Sequence, residues 1–267
     1  MYLSRRARLA LRAFTGLTFA TLYVPLVIVA ILSFDKARSF TWPPSGFTLH
    51  WWGRAATESG PRDALWMSLK TGLAATAVAL VLGTLAAFAL QRFRFFGRDA
   101  VSLMLVLPIA LPGIVTGVAL NSAFRQVGLG LGFTTLVVAH ATFCIVTVFN
   151  NVIARLRRLS PNVEEASADL GADTFQTFRY VTLPLVRSAL FAGGLLAFAL
   201  SFDEIVVTTF TAGTGQTLPL WIFSNLFRPN QLPIVNAVAT AVVVLSIVPV
   251  YLAQRLTDVT VAGVAAP

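Results

Sequence analysis

"EEASADLGADTFQTFRYVTLPL", residues 164–185, carries four carboxylates (Glu164, Glu165, Asp169 and Asp173) between two long apolar segments. Its periodicity is helical. Val163, Ala166 and Leu170 recur at helical spacing on one side, and Glu165, Asp169 and Asp173 recur at four-residue steps on another. Ser160 or Asn162 can cap a helix starting at Pro161, and Glu164 and Glu165 in its first turn suit the positive end of the helix dipole. Gly171 should interrupt that helix, and Pro184 should mark entry to the next apolar segment. The expectation is a short amphipathic helix that offers a carboxylate ridge to a basic partner.

The flanks decide where this helix lies. Of the 267 residues, 57% are hydrophobic and 12% charged, and the mean hydropathy is +0.78, far beyond what a water-facing domain carries. Crossing the hydrocarbon layer takes about 20 apolar residues as a helix. Six stretches suffice: 13–34, 71–91, 100–124, 126–154, 188–202 with a continuation to 211, and 229–254. The fold class read from this is an all-α membrane protein with six transmembrane helices, the acidic helix lying between spans 4 and 5. The basic start "MYLSRRARLALRAF" resembles a signal peptide, but the following apolar run is too long and lacks a small-residue cleavage site, so it reads as an uncleaved first span.

Charge gives orientation. Thirteen of the twenty basic residues fall in the N-terminal tail, around 92–98, in 155–187 and at Arg255, and seven in the remaining loops. That bias places both termini and the acidic helix in the cytoplasm. The +9 net charge therefore reports topology, and no nucleic-acid partner is expected. Cys144 is the one cysteine, so no internal disulfide can form.

Within the spans, Gly72, Thr76, Ala79 and Gly83 form a small-residue face suited to close helix approach. Pro108, Pro112 and Gly113 should break the third span. His140 stands alone, without a neighbouring carboxylate, and reads as a helix-packing hydrogen bond rather than a proton relay. Trp42, Trp51, Trp52 and Trp66 suit an interfacial belt. The sequence carries no phosphate loop, H-E-x-x-H, C-x-x-C or G-x-S-x-G motif, and its lysines, Lys36 and Lys70, follow no glycine-rich loop. No catalysis and no metal site are expected of the chain.

With these residues in view, the acidic segment resembles the motif of permease subunits of binding-protein-dependent type I ABC importers: E-A-A-x-x-x-G, nine residues, then I-x-L-P. Glu165, Ala166 and Ser167 stand for E-A-A, Gly171 for the glycine, and Val181, Leu183 and Pro184 complete it. Ser167 and Val181 are mild departures. The resemblance implies that Glu164, Glu165, Ala166, Asp169, Gly171, Leu183 and Pro184 belong to a coupling helix docking on a separate ATP-binding subunit. That subunit, present in two copies, would hold ATP and Mg, with no cofactor bound by this chain. A second permease subunit, a periplasmic binding protein and membrane lipid complete the implied partners, in a bacterial inner membrane. The implied organisation is 1–64 for the tail, first helix and outer loop, 65–255 for the transport core and 256–267 for a short tail.

Residues 201–246 resemble the spermidine/putrescine-type permeases more narrowly, through Asp203 and Glu204, Thr211 to Gly213, "LPLWIFS" from Leu218, and "NAVAT" from Asn236. The implied cargo is a polyamine, with Asp203, Glu204, Trp221 and Phe223 along its path. Counting from Ser188, Asp203 lies about 22 Å along the fifth span. The pair either faces a water-filled path or, if the helix ends early, the outer side. The rival reading is an ion-coupled carrier acting alone, for which paired broken helices would speak. A non-transporting membrane scaffold is a third.

Overall fold

The structure, a computed structural model, describes residues 4–39, 42–160 and 162–262, with side chains described as far as 247. Among these every regular element is helical, apart from one isolated bridge between Asp35 and Phe47. Four helices are long and apolar enough to cross a membrane, and a fifth crossing results if one bent pair counts as a span. The six spans expected therefore stand at four or five by this measure. The last apolar stretch lies in α12 (Leu232–Ala262), whose side chains are described for 232–247 only.

The chain forms two compact units. One holds 1–62 and 222–267, and the other 63–221. The first and last helices thus fall in one unit.

In the first unit, α1 (Arg5–Leu32) and α2 (His50–Thr57) both pack on α12. Only 6% of the apolar stretch of α1 is buried inside the chain, so its stability as a helix depends on an apolar surround. The loop after it is ordered by Asp35. Its carboxylate accepts the Ala37 and Ser45 N–H groups at 3.1 and 3.0 Å and the Ser45 hydroxyl at 2.9 Å. The Asp35 carbonyl accepts the Trp51 indole N–H at 2.9 Å. This revises the tryptophan belt. Trp51 is buried and Trp52 stacks on Phe34, while Trp42 and Trp66 remain exposed.

The second unit is built on α3 (Ser59–Arg92), α6 (Phe133–Leu156) and α9 (Leu183–Asp203). Their shared core includes Ala75, Ala79 and Ala87 from α3, Val148 and Val152 from α6, and Val186 and Ala197 from α9. Small residues set the spacing. A Cβ on Gly83 would lie 2.8 Å from the Ile145 carbonyl oxygen, so α3 and α6 touch backbone to backbone there. Where lipid is as apolar as leucine, helices gain by such contact rather than by escaping solvent.

The third span is broken as expected, at a narrower place. α4 (Arg98–Ala110) carries Pro108 within it; the break falls at Leu111 and Pro112, and α5 (Gly113–Gln126) leaves at 108°. Pro112 lacks an N–H and disfavours helical geometry at Leu111, which is extended. A second interruption follows Asp203, where an early helix end is one of the two alternatives open in the sequence. Glu204 is extended, and α10 (Val206–Thr211) resumes the helix. α5 packs on α10 so closely that a Cβ on Gly117 would meet the Phe210 ring at 2.6 Å.

Candidate functional site

The acidic segment folds as a short helix followed by the first turns of the long helix Thr174–Asp203. α7 (Asn162–Asp169) ends just before Gly171, whose φ of +87° is costly for any residue with a Cβ. No atom lies within 4 Å of a Cβ built there, so backbone conformation rather than crowding calls for the glycine. α8 (Thr174–Thr177) follows, capped by Asp173: its carboxylate accepts the Gln176 N–H at 2.8 Å, and the Gln176 side chain accepts the Asp173 N–H at 2.9 Å. The expected ridge is therefore shorter. Asp173 is spent on a cap beyond the turn, leaving Glu165 and Asp169 exposed on α7. Leu170, which shares one side of the helical pattern with Val163 and Ala166, is 90% exposed, and Val163 and Ala166 are exposed too. Pro161, the expected first residue of the helix, lies outside the described residues.

Glu164 behaves unlike its neighbour. It pairs with Arg92 at the end of α3 and accepts the Thr182 hydroxyl at 2.6 Å. Thr182 is fully buried in a wider π-helical turn, Phe178–Thr182, that leads into α9. That turn relieves the clash Pro184 would otherwise make with the carbonyl four residues back. Leu183 packs against the core and Pro184 is exposed. The Arg92–Glu164–Thr182 clamp thus ties α3, α7 and the start of α9 together and turns Glu165, Asp169, Leu170 and Phe175 outward. Sequence spacing could not reveal it, because Arg92 lies 72 residues from Glu164.

The second acid pair closes α9. Asp203 is its last residue and is exposed; Glu204 is half-buried, and its carboxylate accepts the Val207 N–H at 2.9 Å. A six-residue helix leaves most of its terminal groups without partners, an expense inside a membrane that side chains must offset. They do so here. The Glu204 carbonyl accepts the Thr208 hydroxyl at 2.7 Å, the Thr211 carbonyl accepts the Thr135 hydroxyl at 2.9 Å, and the Phe210 carbonyl accepts the Asn121 amide.

His140 spans this interruption. Fully buried, it places Nδ1 2.8 Å from the Ser201 hydroxyl and Nε2 2.9 Å from the Thr208 hydroxyl. Thr208 spends its proton on the Glu204 carbonyl, so it accepts from Nε2–H. Nδ1 of the neutral ring then accepts from Ser201. The imidazole is the packing hydrogen bond expected, but it fastens both ends of a break. The signal was present in the β-branched run Ile205 to Thr209 after two acids, a poor helix continuation beside a lone intramembrane histidine. Trp221 and Phe223 on α11 (Leu218–Asn225) differ in exposure, at 7% and 56%.

Comparison with known proteins fixes the family. Residues 79–262 match the family described as binding-protein-dependent transport system inner membrane component. The chain is 39% identical to the spermidine/putrescine transport system permease protein PotC of Haemophilus influenzae, over 92% of this chain and 95% of that one. It is 35% identical to the putrescine transport system permease protein PotI of Escherichia coli K12, over 85% and 83%. Its fold is similar to that of a bacterial ABC transporter involved in the import of the acidic polysaccharide alginate, with a TM-score of 0.71 at 17% identity, covering 97% of this chain and 98% of the other. With more than half the chain matched by the family and both relatives above 30% identity, the protein belongs to the binding-protein-dependent transport system inner membrane components.

Proposed function

We propose that this chain is the permease subunit of an ATP-driven importer that carries a polyamine such as spermidine or putrescine inward. A periplasmic binding protein delivers the cargo, and a second permease, a paralogue of this chain, completes the path. Two copies of a separate ATP-binding subunit hold ATP and Mg and hydrolyse the nucleotide. The observation that carries this reading is the outward surface of α7 and α8, held up by the Arg92–Glu164–Thr182 clamp, with Glu165, Asp169, Leu170 and Phe175 exposed in and just after the E-A-S-x-x-x-G pattern. Exposed apolar side chains next to unpaired carboxylates suit a protein partner better than lipid or water alone. The polyamine follows from the two relatives' names and from Asp203, an exposed acid at the end of a span.

Both termini and residues 155–187 lie on the cytoplasmic side in this reading. Thr57→Cys and Ser160→Cys in a Cys144→Ser background should label from opposite sides of the membrane. Labelling of both from one side would overturn the arrangement.

The cargo has its own test. Asp203→Asn with Glu204→Gln should cut uptake of labelled putrescine or spermidine by proteoliposomes at least about tenfold, the scale of one lost charge contact. Assembly and basal ATP hydrolysis should survive. Unchanged uptake, or a cognate binding protein that prefers an anion, would refute the polyamine assignment while leaving the family intact. The packing of α5 on α10, two half-helices each following a break, is what an ion-coupled carrier would also show. Uptake driven by an ion gradient without the ATP-binding subunit would favour that rival.

A further inference from the structure

A cleft of about 510 Å³ opens between the last turns of α6 and the first turns of α9, lined by Asn150, Asn151, Arg155, Arg158 and Ser188, with alanines between them. Among the described residues no carboxylate lines it. Arg155 donates from Nε to the Leu185 carbonyl at 2.9 Å, which fixes its guanidinium plane and leaves both Nη groups for another acceptor. Arg158 lies three residues on, exposed. Asn151 donates one amide N–H to the Thr147 carbonyl at 2.9 Å, and Asn150 and Ser188 are exposed. Two guanidiniums, two carboxamides and a hydroxyl gathered without an acid form a donor-rich surface, complementary to an anion.

The donors are also arranged by depth. Asn150 lies eight residues before Arg158, about 12 Å along a helix axis. Arg158 stands beyond the end of α6 at Leu156, while the two asparagines lie one to two turns inside the span. A phospholipid also offers acceptors stepped in depth: a phosphate in the headgroup layer and ester oxygens just beneath it, at the margin of the hydrocarbon. A soluble protein's carboxylate would engage the arginines and leave the deeper donors unused. A neighbouring groove on α9 provides an internal contrast. Leu80, Val81, Leu85, Leu190 and Phe191 line it with Arg187 as its one charge, so it is greasy but not anion-reading.

We propose that the Arg155–Arg158 cleft is a binding site for the headgroup of an anionic phospholipid of the inner leaflet, with the guanidiniums on the phosphate and Asn150, Asn151 and Ser188 on the glycerol ester region. Basic recesses between transmembrane helices on the cytoplasmic side suit such headgroups by charge and by supply. The site adjoins Leu185 and Ser188, at the start of the span that the α7–α8 segment feeds, so occupancy would stiffen that junction. It rests on the cytoplasmic placement of residues 155–187. Lipid binding in detergent does not depend on orientation, whereas labelling at Ser160 does, so the two can fail separately.

The test uses the assembled importer purified in detergent, titrated with phosphatidylglycerol, phosphatidylcholine or inorganic phosphate and followed by native mass spectrometry and unfolding temperature. Phosphatidylglycerol should be retained and should raise the unfolding temperature, and phosphatidylcholine should do neither. Arg155→Gln with Arg158→Gln should weaken phosphatidylglycerol at least about tenfold, and Arg187→Gln should leave it unchanged. Should the double variant fail to assemble, Asn150→Ala with Ser188→Ala, which keeps both guanidiniums, should still weaken the lipid about threefold. Equal response to phosphatidylcholine, equal loss in Arg187→Gln, full replacement by inorganic phosphate, or unaltered lipid affinity in both double variants would each overturn the site. So would loss of a subunit at unchanged lipid affinity, which would make the cleft a joint between proteins.

Discussion

Two pairs of adjacent acids, Glu164–Glu165 and Asp203–Glu204, look alike in the sequence and are divided alike in the structure. Each has one carboxylate turned into the protein and one left outside. Their inward members differ in reach. Glu164 holds groups 72 and 18 residues away, joining three elements, whereas Glu204 caps an N–H three residues on. A clamp that joins distant elements can set the position of a whole surface, while a cap sets only the direction of the next turn. The outer members, Glu165 and Asp203, are the ones free to meet a partner or a cargo.

The largest effect should come from removing the scaffold of the second pair. His140→Leu strands the Ser201 hydroxyl in the interior and takes the donor from Thr208, whose own proton stays on the Glu204 carbonyl, a loss of about 2 kcal/mol. A clear fall in the denaturation midpoint in detergent is expected, and a stability equal to wild type would show that the break needs no clasp. Next comes the scaffold of the first pair. Gly171→Val forces a branched residue to φ +87°, costing about 1–2 kcal/mol, and should uncouple ATP hydrolysis from uptake. Gly171→Asn, which tolerates that region, should recover most coupling. Failure of asparagine where alanine succeeds would replace the conformational reason with a steric one.

A smaller effect separates Glu164 from Glu165. Glu164→Ala should lower stability by about 1 kcal/mol, since the ion pair is partly solvated. Glu165→Ala should leave the unfolding midpoint alone but weaken binding of the ATP-binding subunit, read by co-purification. Reversed outcomes would exchange the roles. The finest distinction lies at Glu204. Glu204→Gln keeps an oxygen for the Val207 N–H and should be nearly silent, while Glu204→Ala should cost about 1 kcal/mol. If Glu204→Gln alone reproduced the transport loss of the double acid variant, the cargo contact would belong to Glu204 rather than Asp203.

Composition and periodicity by themselves determined that the chain is an all-helical membrane protein, that its third span breaks near Pro112, and that an acidic helix closes at a glycine before Pro184. Each depends on neighbours within a turn or two: an apolar run long enough for a bilayer, a missing N–H, a backbone conformation only glycine takes easily. Tertiary structure alone decided which acid of each pair is free, that Asp173 caps α8 instead of extending the ridge, and that Trp51 leaves the belt for Asp35. It also decided that His140 fastens a second break and that two arginines share a cleft with Ser188. The reason is common to all of these. A buried polar group is worth keeping only when its partner is in place, and that partner comes from whichever helix packs alongside, at a distance along the chain that no local spacing encodes.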